Sequence, residues 1–161
     1  MKDVELISIT EDSVSHLNSS IPSLPREISA LKGIHLSNGD FVVSGGYMTY
    51  GGMMNNYREV CNDEYLHYKQ GSNQWTKVGT MKIARRNHSS VWIDGCLLTT
   101  GGVLTDWEPI ANHEEFSLHG GVKERKEMPI ALFGHSSTVI DERKILVCGG
   151  HGYGVSRILF K

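Results

Sequence analysis

The sequence is poor in cysteine and proline, and it has no long run of apolar residues. Its 161 residues include only 3 cysteines and 4 prolines. The cysteines are odd in number and widely spaced, so we expect free thiols and neither a disulfide framework nor a cysteine-bound metal; they are Cys61, Cys96 and Cys148. No apolar run is long enough to cross a bilayer, and the first residues lack the apolar core of a signal peptide. These absences predict a cytoplasmic protein without a membrane partner.

An excess of charge of one sign is also lacking. The formal net charge is −2, from 16 basic and 18 acidic residues. Such a composition gives no general attraction to nucleic acid or to an anionic membrane, so we expect neither as a partner. The local basic runs at residues 85–86 and 123–126 are short, and we expect them to lie on a solvated surface.

Glycine, in contrast, is plentiful, with 18 residues, and its positions reveal a repeat. Three Gly-Gly pairs end apolar segments at Gly46, Gly102 and Gly150, with a spacing of about 50 residues. Two near-identical segments, HSSV at His88 and HSST at His135, precede the second and third pairs. A period of this length built from short strands predicts an all-β fold of radially repeated sheets.

Each full repeat is expected to contain four short strands. The turn-forming pairs Asn38-Gly39 and Asp94-Gly95 join the two inner strands of successive units, since such pairs are strong hairpin signals. No segment carries a helical period. The unit boundaries then fall at residues 1–20, 21–80, 81–128 and 129–161, of which the first and last are partial units.

The residue order in the best-formed unit resembles the kelch repeat. In that pattern a strand ending in Gly-Gly is followed by a strand with aromatic residues, a Trp, a linker containing Met, an Arg and a new strand. Here this order is given by Gly45-Gly46, Tyr65, Tyr68, Trp75, Met81, Arg85 and Gly101-Gly102. The resemblance covers nearly the whole chain, although the second unit lacks the Trp and the third lacks the Arg. It implies a kelch-type β-propeller segment over residues 1–161, in which the glycines and Trp75 belong to the framework.

The number of units raises the question of how the sheets are completed. The strands make about three four-stranded blades, whereas closed propellers have about four to eight. Exposed blade faces and unpaired edges promote association. The chain could be a fragment of a six-bladed ring, two chains could form one ring, or another protein could complete it. We favour a half-propeller that associates with a second copy.

Two insertions that follow Gly-Gly pairs are the best candidates for a functional surface. Residues 47–62 and 103–112 occupy the same place in successive units, so both should emerge on one face, together with the linker that carries Arg85. Tyr, Trp, Met and Arg are enriched in protein-recognition surfaces. We predict that a protein or peptide partner docks there through Tyr47, Tyr50, Tyr57, Arg85 and Trp107.

An alternative site would use Glu59, Asp63 and His67, which occur at every fourth position. They resemble a Glu/Asp/His iron-binding pattern of the plant specifier proteins, which are kelch propellers that act on glucosinolate breakdown products. Carboxylate and imidazole ligands suit non-haem iron, so this alternative implies a metal-dependent, lyase-type enzyme. The competing interpretation assigns residues 63–69 to the third strand of a unit. We follow that interpretation and predict no catalytic residue, no metal and no cofactor.

The duplicated histidines are expected to have a structural role. His88 and His135 each precede Ser-Ser at the start of an inner strand. A side chain that recurs in successive units could hydrogen-bond neighbouring blades or line the mouth of the channel. The predicted function is therefore protein interaction. The kelch resemblance implies either substrate recognition in cullin-RING ubiquitin ligases or an actin-associated scaffold. The BTB and BACK domains of the ligase adaptors are not found in these 161 residues.

Overall fold

The computed structural model describes residues 3–17, 21–51, 57–142 and 144–152. Within these residues all regular secondary structure is β-strand, which confirms the predicted all-β class. In the same ranges we find no helix with the length and apolar character to span a membrane. The fourteen strands of the described residues are β1 (Leu6–Ile9), β2 (Val14–Leu17), β3 (Lys32–His35), β4 (Phe41–Ser44), β5 (Tyr47–Tyr50), β6 (Arg58–Cys61), β7 (Glu64–Tyr68), β8 (Thr76–Thr80), β9 (Ser89–Ile93), β10 (Cys96–Thr100), β11 (His113–Ser117), β12 (Gly121–Arg125), β13 (Phe133–Asp141) and β14 (Lys144–His151).

Two four-stranded antiparallel sheets form the centre of the fold. Their strand orders are β3-β4-β7-β8 and β9-β10-β11-β12, so each strand lies beside its predecessor apart from the β5–β6 hairpin inserted after β4. The remaining strands of the described residues form the two-stranded sheets β1–β2, β5–β6 and β13–β14. The four-stranded meander expected from the sequence repeat is therefore present twice.

The inner hairpins form where the turn residues predict them. β9 and β10 are joined by Asp94 and Gly95, both with left-handed backbone angles (φ 49° and 73°), as a two-residue hairpin turn requires. β3 and β4 are joined by a longer loop, closed by a hydrogen bond from the Leu36 N–H to the Asp40 carbonyl (2.8 Å). Local turn chemistry thus fixes the pairing of both hairpins.

No strands were predicted in the insertion after Gly46, but the structure forms a hairpin there. The ends of this insertion form the β5–β6 hairpin, in which Tyr47 lies opposite Cys61 and Tyr50 opposite Arg58. Residues 52–56 between the two strands lie outside the described residues. The same is true of the strand predicted at residues 155–161.

The core between the two four-stranded sheets is built around stacked aromatic rings. Tyr65 of the first sheet and Phe116 of the second are nearly parallel, with ring centroids 4.2 Å apart. Both side chains are fully buried. Gly79 lies directly beside this stack, and a Cβ atom there would be 2.7 Å from the Phe116 ring. The other buried residues of this cluster are Leu36, Val42, Met81 and Leu97.

A second apolar cluster covers the opposite face of the first sheet. Trp75 packs against it and donates a hydrogen bond from its indole Nε1 to the Pro22 carbonyl (2.8 Å). Its buried residues are Leu24, Ile28, Val43 and Leu66. Because Trp75 joins the 21–30 segment to the sheet, its place in the structure is that of a framework residue.

The Gly-Gly pairs form close joints with the next inner strand. Gly46 donates its N–H to the Arg85 carbonyl (2.9 Å), and Gly102 donates to the Leu132 carbonyl (2.8 Å). A Cβ at Gly101 would lie 2.3 Å from that same Leu132 oxygen, and Gly45 is equally confined. Glycine is therefore required by the close approach as well as by the positive φ angles of these residues.

The two histidines lie at these same joints, in equivalent positions. His88 Nε2 is hydrogen-bonded to Ser44 Oγ (3.0 Å), and His135 Nε2 to Thr100 Oγ1 (2.9 Å). Burial lowers the pKa of His88 to about 3 and that of His135 to about 4. Both rings are therefore neutral at neutral pH, and each connects an inner strand to the sheet before it, as the duplication predicts.

Candidate functional site

The adjacent arginines at positions 85 and 86 are both buried, so the expectation that this basic pair lies on a solvated surface is wrong. Their exposed fractions are 0% and 1%. The two side chains nevertheless have different surroundings. Arg85 is enclosed by backbone carbonyls and a carboxylate, whereas Arg86 is enclosed by aromatic rings.

Arg85 uses all three of its nitrogens inside the second unit. Nε donates to the Ile83 carbonyl (3.1 Å), and Nη1 donates to the carbonyls of Gly101 (3.0 Å) and Asn112 (3.1 Å). Nη2 donates to the Asn112 side chain and forms an ion pair with Glu114. This network connects the linker before β9 to strands β10 and β11. Because the side chain is enclosed and its donors are engaged, we exclude Arg85 from the candidate docking surface.

Arg86 lies between two aromatic rings. Its Cζ atom is 4.0 Å from the ring centroid of Trp107 and 4.7 Å from that of Tyr47, so both rings stack on the guanidinium as cation–π partners. Nη1 forms an ion pair with Glu59, whose side chain is partly exposed. Nε and Nη2 have no hydrogen-bond acceptor among the described residues.

Trp107 belongs to a tight turn, which we call the Trp107 turn (residues 103–108). Leu104 N–H donates to the Glu108 carbonyl (3.0 Å), and Trp107 N–H donates to the Leu104 carbonyl (3.1 Å). Trp107 has a φ angle of 68°, which is strained for a bulky L-residue. Its side chain is 54% exposed although it stacks on Arg86. Strain combined with exposure is typical of functional positions.

The β5–β6 hairpin is attached to the Trp107 turn, so the two insertions lie against each other. Cys61 donates its N–H to Thr105 Oγ1 (3.1 Å), and its thiol contacts the Val103 carbonyl (3.6 Å). Burial raises the pKa of the Cys61 thiol, and all three cysteines are free, as expected. Beyond this attachment, Tyr50 and Tyr57 are 52% and 70% exposed.

We call the exposed aromatic residues of the two insertions, Tyr50, Tyr57 and Trp107, the aromatic surface. Within it, Tyr50 lies on the Met48 side of the β5–β6 hairpin, opposite to the side on which Tyr47 contacts Arg86. Tyr47 was predicted to belong to the same surface, but its ring is partly buried against Arg86. Tyr47 is therefore not one of the exposed residues of the aromatic surface.

The alternative metal site does not assemble. Glu59 is paired with Arg86, and His67 Nε2 lies 3.0 Å from the Asp40 carboxylate. Among the described residues, which include Asp63, no group of three or more His, Cys, Asp or Glu side chains is arranged to hold a metal ion. Asp40 in turn accepts a hydrogen bond from the Gln70 backbone N–H, the first cause of the lowered pKa of its carboxyl group, and so fixes the loop beside β7.

Arg85 was predicted to be a partner-binding residue, and the structure buries its side chain. The repeat contained a signal that distinguishes the two arginines. Each unit from residue 21 onward has a residue with positive φ at or shortly before the start of the inner strand: Ala30, Asn87 and Gly134. Counting back from these positions, Arg85 corresponds to Ile28 and Leu132, which are both buried apolar residues. A position that is apolar in the other units predicts burial. Arg86 corresponds to Ser29 and Phe133, so its side chain has no counterpart in the other units.

Comparisons with known proteins do not place this chain in a family. No protein-family profile matches the sequence. No curated protein matches it significantly either. Functional inference therefore depends on the residues and their geometry.

Proposed function

We propose that this chain is a kelch-type β-propeller segment that acts as a protein-interaction module, docking a protein or peptide partner on the aromatic surface. The observation that carries the proposal is the exposure of Tyr50, Tyr57 and Trp107 on two insertions that are attached to each other and to rigid sheets. Loops presented by a rigid scaffold are a usual location of binding residues.

The propeller part of the proposal is supported by the repeated joint. Each four-stranded sheet ends its second strand in Gly-Gly, and each Gly-Gly receives an inner-strand histidine from the following unit. The Tyr65–Phe116 stack lies between the faces of the two sheets. Face-to-face packing of short four-stranded meanders is typical of propeller blades.

The docking part is supported by the residue types that are exposed. Tyr and Trp supply a large contact area with few rotatable bonds, and they are enriched among the residues that dominate binding energy. The described chain has eight exposed large hydrophobic residues, of which the three aromatic ones all belong to the two insertions. The others lie on the two-stranded sheets β1–β2 and β13–β14.

The five exposed apolar residues outside the aromatic surface support self-association. Ile7, Ile9 and Val14 are exposed on β1–β2, and Val139 and Ile140 are exposed on β13–β14. Each of these sheets has two strands in the described residues, whereas a complete unit has four. We propose that a second copy of the chain covers these faces. Light scattering should then give the mass of a dimer, and a monomer near 17.9 kDa would contradict this part of the proposal.

The docking function is tested by partner capture from cell extract with ring-deleting and ring-preserving variants. Tyr50→Ser with Tyr57→Ser removes both rings, whereas Tyr50→Phe with Tyr57→Phe keeps them. We expect partners that bind the wild type and the Phe variant to bind the Ser variant at least about tenfold more weakly, because truncated hot-spot aromatics cost about 1–2 kcal/mol or more. Equal capture by all three proteins would show that the aromatic surface is not the docking site.

A further inference from the structure

Arg86 is a buried cation whose hydrogen-bonding capacity is only partly used. Its exposed fraction is 1%, and Glu59 occupies Nη1. Nε and Nη2 have no acceptor among the described residues, and burial without a partner is unfavourable for such donors. Both groups belong to one edge of the guanidinium plane. That edge can donate two parallel hydrogen bonds to the two oxygens of a carboxylate.

The Trp107 indole, which covers this cation, is accessible to solvent and belongs to a strained turn. The Trp107 ring stacks 4.0 Å from the Arg86 Cζ, yet more than half of the Trp107 surface is exposed. The positive φ of Trp107 disfavours the present conformation of its turn. Displacing the indole would lose one cation–π contact and relieve this strain, so the two effects oppose each other. Tyr47 would keep its own cation–π contact with the guanidinium.

We propose that Arg86 is the anion-recognition residue of the aromatic surface, and that its Nε–Nη2 edge receives an Asp or Glu carboxylate of the docked partner when the Trp107 indole moves aside. Glu59 is paired with Nη1 and so fixes the orientation of the guanidinium. The edge formed by Nε and Nη2 stays available to the ligand. The inference rests on the proposed docking function and adds to it the chemistry of the partner, which is an acidic side chain.

The test is a titration of the whole, isotope-labelled chain with a blocked Glu-Gly-Glu peptide and with its Gln-Gly-Gln counterpart. NMR follows the Arg86 Nε–H and the Trp107 indole N–H. We expect both signals to shift together and to saturate with the Glu peptide only. Arg86→Lys keeps the charge but loses the planar fork, so its affinity, followed by the Trp107 indole signal, should fall at least about tenfold. Arg58→Lys, on the same hairpin, is the matched control and should bind like the wild type.

A second variant keeps the test informative if Arg86→Lys fails to fold. Trp107→Gly removes the cover and fits the positive φ, so the Glu peptide should bind at least about threefold more tightly. Absence of a saturable shift, or equal shifts of the Trp107 indole signal in the Arg86→Lys variant and the wild type, would overturn the proposal. Saturation by inorganic phosphate at a lower concentration than by the Glu peptide would overturn the choice of a carboxylate.

The capture experiment and the peptide titration together distinguish a failure of this inference from a failure of the docking function. If capture depends on Tyr50 and Tyr57 while the peptide titration fails, the anion-recognition role alone is wrong. If the titration succeeds while capture is indifferent to those rings, the docking function alone is wrong.

Discussion

The joint between the repeated units and the aromatic surface above it are built from neighbouring residues, but they obey different rules. At the joint, Arg85 is enclosed and hydrogen-bonded through every nitrogen, and the glycines and His88 make contacts that recur in the next unit. Beside the aromatic surface, the buried Arg86 has two nitrogens without an acceptor among the described residues, and Trp107 is strained and exposed. The comparison teaches that burial alone does not identify a framework residue. A framework residue is identified by contacts that recur between units, as at His88, or by a complete set of hydrogen bonds, as at Arg85.

The largest expected effect separates the two arginines by stability. Arg85→Met leaves Glu114 buried without its cation, so the free energy of unfolding should fall by about 3–5 kcal/mol. Arg86→Met keeps an apolar side chain against the two rings but loses their cation–π contacts, and it frees a partly exposed Glu59, so the loss should be smaller, about 1–2 kcal/mol. Urea unfolding measures both. Equal losses would mean that Arg86 is as much a framework residue as Arg85.

The second prediction concerns the glycines. At Gly101 an added Cβ would meet the Leu132 carbonyl at 2.3 Å, so Gly101→Ala should destabilise the fold by about 2–4 kcal/mol. Gly71 has a similarly positive φ but open space around it, and Gly71→Ala should cost only about 1 kcal/mol. Thermal or urea unfolding provides the comparison. A Gly101→Ala variant as stable as Gly71→Ala would refute the close joint.

The third prediction uses pH to probe the joint. In the unfolded chain, His88 and His135 bind a proton near pH 6.5, but in the folded chain they do so near pH 3 and 4. The unfolded state therefore holds more protons between these values. Stability is fully present above pH 6.5 and falls on acidification, by about 2 kcal/mol per histidine between pH 6.5 and 4.5. His88→Asn should reduce this pH dependence of urea unfolding by roughly half. An unchanged dependence would show that His88 is not responsible.

The smallest effect is expected at the surface. Trp107→Gly exchanges a strained backbone for the loss of one cation–π contact, and these terms are each about 1 kcal/mol, so stability should change by less than about 1 kcal/mol. The unfolding midpoint measures the difference. A loss comparable to that of Arg85→Met would place Trp107 in the framework and weaken the distinction between the two regions.

The regular parts of the fold could be predicted because their causes are local. The Asp94-Gly95 turn and the alternating segments beside it define β9 and β10 without reference to the rest of the chain. The Gly-Gly repeat then predicts that the same meander occurs again. The β5–β6 hairpin was missed because its strands have only four residues each and are separated by residues 51–57, so no two-residue turn joins them.

Part of the candidate site could also be predicted, because it follows from the sequence repeat. The aromatic residues of the two insertions identified the face, because equivalent insertions emerge together. The burial of Arg86 could not be predicted, since it depends on Tyr47, Glu59 and Trp107, which meet only through the fold. The repeat could have assigned Arg85 to the framework, because its equivalents Ile28 and Leu132 are apolar.

The most direct test of the central claim is photo-crosslinking in cell extract from two exposed positions. A photoreactive phenylalanine at Tyr57 probes the aromatic surface, and the same residue at His119, in the exposed β11–β12 turn, is the control. The account predicts a discrete crosslinked product from position 57 that is absent from position 119 and is lost on competition with unlabelled wild-type protein. Identical products from both positions, or a product from position 119 alone, would contradict it.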